Sequence, residues 1–388
     1  CNFCNSCYTF RMNNASAFKK NGSAAKNPFL PVCRADMDER GWSECDFVFV
    51  SGDAYVDHPS FAAALLGRLL ESHGYKVGII AQPDCSDPSA FTVLGKPRLA
   101  FLVSAGAMDS MVANYTANNK PRSSDAYAHG GEAGHRPDRA LITYTSKIRE
   151  AYKGVTVIIG GIEASLRRFS HYDYWSNKVR RSILLDSKAD LLLYGMGEHS
   201  IIETADLLNS GVPIREIRSV RGSCWFSGKE DDVPKGKNVI RLPSFQEISS
   251  DNDESRRKFA ESFVTQEENT DAINACILVE QSDARVVVQN PPAFPLTTEE
   301  FDAVMELPYT RKYHPMYDKK AANGKTGVPA LQEVLFSLTS VRGCFGACSF
   351  CAITFHQGRT RQARSHESLV REAKMLSERP DFKGYIHD

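Results

Sequence analysis

Short apolar segments alternate with amphipathic helical patterns from about residue 46 to residue 210, and this alternation constrains the fold more than any other feature. Most of the apolar segments end in Gly, Ser or Asp, as buried strands that run into turns do. Strands that alternate with helices form parallel sheets, because each helix carries the chain back to the edge where the previous strand began. The sequence therefore predicts an α/β fold with a doubly wound parallel sheet. The predicted strands are 46–53, 76–80, 97–106, 155–161 and 189–195, and the predicted helices are 60–75, 138–152 and 198–210.

The length of 388 residues is enough for two or three domains of roughly 150 residues each. We expect an N-terminal α/β, Rossmann-like domain over 28–220, while residues 1–27 before it are unassigned. A less regular connecting region follows over 221–330, with a predicted helix at 251–270 and a predicted strand at 284–288.

The final segment, 331–388, predicts a second α/β unit that is incomplete. A predicted strand at 334–343, a helix at 365–378 and a strand at 382–388 make one strand-helix repeat plus a further strand. Such a unit is too short to form a domain by itself. We therefore expect the chain to stop near the start of a longer α/β domain.

Composition narrows the functional classes. Lys and Arg number 47 and Asp and Glu also number 47, which leaves no net charge to drive binding to nucleic acid or to a membrane surface. A nucleic-acid partner stays undecided, because residues 167–182 interleave arginines with Tyr and Trp, which suits either phosphate and base contact or packing against another segment. No run of 18 apolar residues and no signal peptide are found, so we expect no membrane partner. The odd count of 11 cysteines is typical of reduced thiols in the cytoplasm rather than of disulfides.

One close group of cysteines carries the strongest functional prediction. Cys344, Cys348 and Cys351 form a C-x3-C-x2-C loop directly after the predicted strand at 334–343. A structural zinc site usually takes four ligands, and no fourth Cys or His follows at a suitable spacing. Three thiolates suit a 4Fe-4S cluster that keeps one iron open to a small molecule.

The loop resembles the radical S-adenosylmethionine (SAM) signature, C-x3-C-x-aromatic-C, with Phe350 as the aromatic residue. Its flanks and three earlier segments are similar to the YgiQ family of radical SAM proteins. These segments read SVRGCFGACSFCAITFHQGR, GDAYVDHPSF, GIEASLRRFSHYDYWSNKVRRS and DSKADLLLYGMGE. The resemblance implies that the chain ends in the start of a truncated radical SAM (β/α) barrel.

The resemblance also implies the chemistry. Cys344, Cys348 and Cys351 would be the metal ligands of a 4Fe-4S cluster, and Phe350 would join them in cofactor binding. An electron donor such as flavodoxin or ferredoxin would reduce the cluster, and cleavage of SAM would release a 5′-deoxyadenosyl radical that takes hydrogen from an unknown substrate. The Gly-rich segment that holds SAM and the later barrel repeats would begin past Asp388, so we expect this chain alone to be inactive.

Two other functions stay open. An RNA- or protein-modifying methylthiotransferase would share the core chemistry, but such enzymes usually carry a second three-cysteine cluster in the N-terminal domain. Cys33, Cys45 and Cys85 are isolated and do not build one. A non-catalytic zinc-binding protein is the alternative from a different class. Three more cysteines lie close together at the chain start: Cys1, Cys4 and Cys7. They lack a fourth ligand, so the sequence gives only weak support for a second cluster there.

The carboxyl ends of the predicted strands are the other candidate site, because ligands of doubly wound sheets bind there. Segments 51–58, 104–110, 160–165 and 195–198 each combine small residues with a carboxylate. These residues suit a polar pocket, yet ordinary turns and helix caps need the same residue types. Cobalamin is a minor alternative, because the Asp57-His58 pair does not match the D-x-H-x-x-G pattern of cobalamin-binding domains.

Overall fold

The computed structural model describes residues 27–387 except 347 and 349. The doubtful cysteine group at the chain start therefore lies outside the described residues. The strands are β1 (Phe47–Ser51), β2 (Val77–Ala81), β3 (Ala100–Ser104), β4 (Val157–Gly160), β5 (His171–Asp173), β6 (Lys178–Arg180), β7 (Leu191–Leu193), β8 (Ser223–Ser227), β9 (Val239–Arg241), β10 (Ile277–Ser282), β11 (Arg285–Gln289), β12 (Val341–Arg342) and β13 (Gln362–Ala363). The helices are α1 (Arg34–Glu39), α2 (Ala62–Ser72), α3 (Ser110–Asn114), α4 (Ala140–Ala151), α5 (Gly161–Leu166), α6 (Ile183–Ser187), α7 (Glu198–Asn209), α8 (Phe245–Ile248), α9 (Asp253–Glu268), α10 (Thr298–Met305), α11 (Ala330–Val334), α12 (Ala352–Gln357) and α13 (His366–Ser377).

Five strands form the parallel half of the main sheet, in the order β2-β1-β3-β4-β7. Each pairs in parallel with its neighbours in that half. These are the five strands predicted from the alternation, and that prediction is confirmed. The chain changes its direction of travel across the sheet between β1 and β3, so the carboxyl ends of these two strands flank the switch point where such sheets usually bind ligands.

Both faces of this half are buried, because successive side chains of a strand point to opposite faces of a sheet. Phe47 and Phe49 of β1 enter one hydrophobic core together with α2 and α7. Val48 and Val50 enter a second core together with α4 and α6. The sheet therefore lies between two layers of helices, and α2, α4 and α7 confirm the three helices predicted for this half.

The other four strands of the main sheet come from the region predicted to be a connection. β8 pairs antiparallel with β7, and β11, β10 and β9 continue the sheet beyond β8. Asp283 and Ala284 alone join β10 to β11, and a two-residue turn joins antiparallel strands only. The prediction of a purely parallel sheet is therefore corrected to a mixed, mainly parallel one. The sheet also continues across residue 220, where the sequence divided the chain.

The C-terminal unit differs most from its prediction. The strand expected at 334–343 is reduced to β12, which pairs with β13, and the strand expected at 382–388 is a single parallel bridge between Ser337 and His387. Both predictions of full strands are wrong, because a parallel strand needs a hydrogen-bonded neighbour along its length and the described residues provide one only at this bridge. The helix expected at 365–378 is confirmed as α13. A barrel is not formed within the described residues.

The longest described helix, α9, has 16 residues and confirms the helix predicted at 251–270. It lies beside α12, where the rings of Phe263 and Phe355 stack with their centroids 6.2 Å apart. In the described part of the chain, no helix is both long enough and apolar enough to cross a membrane.

Candidate functional site

The cysteine loop connects β12 to α12. Cys344 and Cys348 are exposed, and Cys351, the N-cap residue of α12, is half-buried. The Sγ atoms of Cys344 and Cys348 lie 3.3 and 3.8 Å from the position that a Cβ atom on Gly346 would take, so both thiols lie close to that glycine. The Gly346 N–H donates to Cys344 Sγ at 3.4 Å. The structure thus brings two of the three predicted ligands together around Gly346.

Cys351, the third predicted ligand, is joined to the loop by a backbone hydrogen bond. The Cys351 N–H donates to the Cys348 carbonyl oxygen at 2.9 Å. Among the described residues, no three His, Cys, Asp or Glu side chains form a group that holds a metal ion. One zinc ion needs every sulfur atom about 2.3 Å from a single point, whereas a four-iron cluster takes thiolates that stand farther apart. All three thiols of the loop are free, and two of them are exposed.

A cleft of about 390 Å³ lies beside the loop, between it, β5 and α9. Phe350, the predicted cofactor-binding residue, lines this cleft, and the residue is 89% exposed. On the opposite wall, His171 Nδ1 lies 3.2 Å from the Phe169 carbonyl oxygen, and His171 Nε2 has no partner in the described structure. Burial lowers the pKa of His171 to about 4, so the ring is neutral and Nε2 is an acceptor. The sequence named this histidine only as part of the basic and aromatic segment 167–182, not as a neighbour of the cysteine loop.

A second cavity, of about 510 Å³, lies at the carboxyl ends of β3, β4 and β7, where the sequence left a pocket and ordinary turns as equal alternatives. Arg342 and α12 form its far wall. An added Cβ on Gly195 would lie 3.2 Å from the His356 carbonyl oxygen, so a glycine here lets the loop after β7 approach α12 closely. The cavity therefore lies between the sheet and the helix that begins after Cys351.

The carboxylates predicted for this edge of the sheet all form hydrogen bonds or ion pairs with other residues of the protein. Glu163 is buried and accepts from the N–H groups of Ser110 and Leu141. The other four form ion pairs with arginines: Asp53 with Arg136, Asp57 with Arg68, Asp109 with Arg167, and Glu198 with Arg342. The cavity is consequently lined mainly by small and apolar residues, while the carboxylates hold neighbouring segments in place.

Arg136 fills the crevice at the switch point between β1 and β3. Its guanidinium donates to Asp53 at 2.8 Å, to Asp125 at 3.1 Å and to the Ala105 carbonyl oxygen. Gly106 has a φ of +101°, and an added Cβ there would overlap Asp53 and Arg136. The cavity that remains is about 10 Å³, which is room for about one water molecule. This crevice therefore has no space for a nucleotide or a cobalamin ring.

His58, which the sequence raised as a cobalt ligand, is also engaged. Its side chain is buried, and its Nε2 lies 3.1 Å from Arg311 Nη1. Burial, reinforced by the charge of Arg311, lowers the pKa of His58 to about 3, so the ring stays neutral and accepts from the arginine. His58 is therefore not free to bind cobalt in this structure.

Buried ion pairs fasten the C-terminal unit to the rest of the protein. Arg342, two residues before the cysteine loop, pairs with Glu198 at the start of α7. Glu372 of α13 pairs with Arg311. These partners are 144 and 61 residues apart in the sequence, so no local pattern identifies them.

The basic and aromatic segment 167–182 has two different parts. Arg167 and Arg168 are buried, whereas Arg181 is partly exposed and pairs with Asp186. A buried guanidinium does not reach a nucleic-acid backbone in solvent. The first part of the segment therefore contributes packing and internal hydrogen bonds.

The mixed α/β fold and the three-cysteine loop indicate the class of radical SAM proteins. The family model described as Radical SAM N-terminal matches residues 29–337, and the chain belongs to this family. A UPF0313 protein of Clostridium perfringens (strain 13) is 53% identical over 364 residues, which are 94% of this chain and 53% of the relative. A UPF0313 protein of Clostridium botulinum (strain ATCC 19397) is 52% identical over 360 residues, which are 93% of this chain and 54% of the relative. UPF0313 is the family of YgiQ, so the resemblance found in the sequence is confirmed.

The chain spans about half the length of the curated relatives it matches. Among solved structures, it is similar to the radical SAM methyltransferase TsrM from Kitasatospora setae, which was solved with a tryptophan substrate and a SAM analogue bound. The TM-score is 0.43 at 14% identity, over 85% of this chain and 45% of that one.

Proposed function

We propose that this chain carries the cluster-binding segment of a radical SAM enzyme, with Cys344, Cys348 and Cys351 as the three ligands of a 4Fe-4S cluster. The observation that carries the proposal is the convergence of the Cys344 and Cys348 thiols on Gly346, in a protein of the Radical SAM N-terminal family. When bound and reduced, such a cluster supplies the electron that cleaves SAM and yields a 5′-deoxyadenosyl radical. The substrate of that radical is unknown.

The residues around the loop have separate tasks in this proposal. Phe350 offers SAM an exposed aromatic face beside the ligands. The exposed side of Cys344 and Cys348 gives an electron donor, such as flavodoxin or ferredoxin, access to the loop. Phe263 and Phe355 stack on each other and give the cleft beside the loop an apolar wall.

The domain division is also part of the proposal. The α/β domain over 28–220 and the connecting region over 221–330, which contribute strands to one sheet, precede a radical SAM segment over 331–388. The parallel bridge between Ser337 and His387, with α13 between these residues, supports a first barrel repeat. The free cysteines of the described residues support a reducing, cytoplasmic setting.

A methylthiotransferase would need a second cluster in the N-terminal domain. Cys45 is buried, Cys85 is half-buried and Cys33 is exposed, and these three do not form a metal-binding group in the described structure. Within residues 27–387, the described cysteines of the N-terminal domain therefore do not support a second cluster.

The test uses the full-length protein under anaerobic conditions, with dithionite as reductant and SAM as substrate. We expect 5′-deoxyadenosine from the wild type, none from Cys348→Ala, and wild-type amounts from the matched control Cys276→Ala, which changes an isolated cysteine. Zinc without iron in the purified protein, together with no 5′-deoxyadenosine, would refute the proposal. With cell extract and deuterium-labelled candidate pools, deuterium in 5′-deoxyadenosine would identify the substrate.

A further inference from the structure

Arg168 is a buried cation between the main sheet and α12. Its side chain is 1% exposed. Its Nε donates to Gln289 Oε1 at 2.5 Å, and its Nη1 donates to the Ser165 carbonyl oxygen at 2.5 Å. The guanidinium lies over two aromatic rings, 4.0 Å from the centroid of Phe355 and 5.0 Å from that of Tyr194.

All of these partners are neutral, and in the described part of the chain no carboxylate pairs with Arg168. This distinguishes it from other buried arginines of the protein, since Arg68, Arg136 and Arg167 each pair with an aspartate. Burial lowers the pKa of Arg168, because removal from water disfavours the charged form. A buried charge without a counter-ion is strongly destabilising, so a protein that keeps one needs a compensating negative charge nearby.

The cysteine loop is where such a negative charge would arise. Phe355 is four residues after Cys351 on α12, which is about 6 Å along a helix axis. The guanidinium of Arg168 contacts that ring, so its charge lies on the order of 10 Å from the loop. Ser165 links the two elements further, because its carbonyl oxygen accepts from Arg168 while its Oγ lies 2.8 Å from His356 Nδ1.

We propose that Arg168 is a positioning residue for the cluster, which holds α12 through Phe355 and Ser165 and stabilises the reduced state of the cluster by its fixed charge. The inference rests on the proposed function. Three thiolates make the site anionic, and reduction adds one electron from the external donor without forming or breaking a bond. The extra negative charge interacts favourably with a cation behind the helix.

The magnitude follows from Coulomb's law. A unit charge about 10 Å away, at an effective dielectric constant of about 20, changes a one-electron equilibrium by about tenfold. A tenfold change corresponds to about 59 mV in reduction potential. Removal of the charge should therefore lower the potential by about this amount.

The experiment measures the midpoint potential of the chain after anaerobic reconstitution with iron and sulfide, by redox titration followed by electron paramagnetic resonance. Arg168→Met removes the charge, and Arg168→Lys keeps it. Gln289→Glu places a carboxylate against Arg168, which offsets the positive charge while the arginine stays in place. This variant tests the effect of the charge on the potential even if Arg168→Met fails to fold. Arg285→Met is the control, because Arg285 also lies over an aromatic ring, Phe226, but it is exposed and lies at the other end of β11 from Gln289.

We expect Arg168→Met and Gln289→Glu to reduce the equilibrium constant for reduction about tenfold, and Arg168→Lys and Arg285→Met to stay within about twofold of wild type. An unchanged potential in Gln289→Glu at full iron content would overturn the inference and leave the proposed function intact. An equal shift in Arg285→Met would overturn it as well. Absence of iron from the wild-type chain would overturn both.

Discussion

The buried carboxyl group of Glu280 on β10 predicts a measurable pH dependence of the protein's stability. Its hydrogen bonds to Ser170 join the sheet to the segment that lines the cleft. Its carboxylate accepts from Ser170 N–H at 3.1 and 3.2 Å and from Ser170 Oγ at 2.8 Å. In the described structure no cation pairs with it, and burial raises the pKa of Glu280 from 4.5 to about 7. The neighbouring residue, His171, lines the cleft next to the cysteine loop.

The sign of the effect follows from where the proton is held. The folded protein keeps the Glu280 proton to a higher pH than the unfolded chain, so the stability contributed by the neutral carboxyl is complete below about pH 4.5. It is lost as the pH rises through about 7. At 1.36 kcal/mol per unit of pKa difference, the cost at pH 8 is about 3 kcal/mol, and most of it develops between pH 5 and pH 8.

Glu280→Gln keeps an acceptor for Ser170 and does not ionise. Urea unfolding gives the free energy of unfolding of both proteins at each pH. The value for the wild type minus the value for the variant should fall by about 2 to 3 kcal/mol between pH 5 and pH 8. At pH 5 the folded side chain is mostly neutral in both proteins, so that measurement is the internal control. The same difference between the two proteins at both pH values would refute the account of Glu280 as an unpaired buried carboxyl.

Three further predictions follow from buried contacts. Glu198→Gln leaves Arg342 buried without a counter-ion and should lower the free energy of unfolding by about 3 to 5 kcal/mol in urea; a loss below 1 kcal/mol would contradict the buried ion pair. Gly106→Ala places a Cβ into the Asp53 carboxylate and should cost several kcal/mol, whereas Gly211→Ala, which meets no atom within 4 Å, should cost only the backbone strain of about 1 to 3 kcal/mol. Native chain treated with iodoacetamide at pH 8 and mapped by mass spectrometry should be modified at the exposed cysteines of the loop but not at Cys45, where burial raises the pKa of the thiol to about 12.

The parts of the fold that sequence predicted are those encoded locally. β1 to β4 and β7 are runs of apolar residues, and the helices between them have the helical period, so each element carries its own pattern. The cysteine loop is likewise recognised from spacing within eight residues, Cys344 to Cys351. Of the four strands beyond β7, only β11 was predicted, at 284–288, because the others are joined by a hairpin and irregular connections rather than by crossover helices.

The contacts that sequence did not predict join distant segments. Asp53 and Arg136 are 83 residues apart, and their pairing closes the crevice where composition alone favoured a pocket or a turn equally. Arg168 lies in the segment 167–182, which sequence left open between nucleic-acid contact and packing because it interleaves arginines with aromatic residues. Its burial against Phe355 depends on the placement of α12, which no local pattern specifies.

The most direct test of the central claim is the amount of iron and acid-labile sulfide bound after anaerobic reconstitution. The wild-type chain should bind about four of each. A variant with three alanines in place of the loop cysteines should bind none, while a matched variant with three isolated cysteines replaced should bind as much as the wild type. The first variant changes Cys344, Cys348 and Cys351, and the second changes Cys33, Cys85 and Cys276. Equal iron loading of the first variant and the wild type would contradict the claim that this loop holds the cluster.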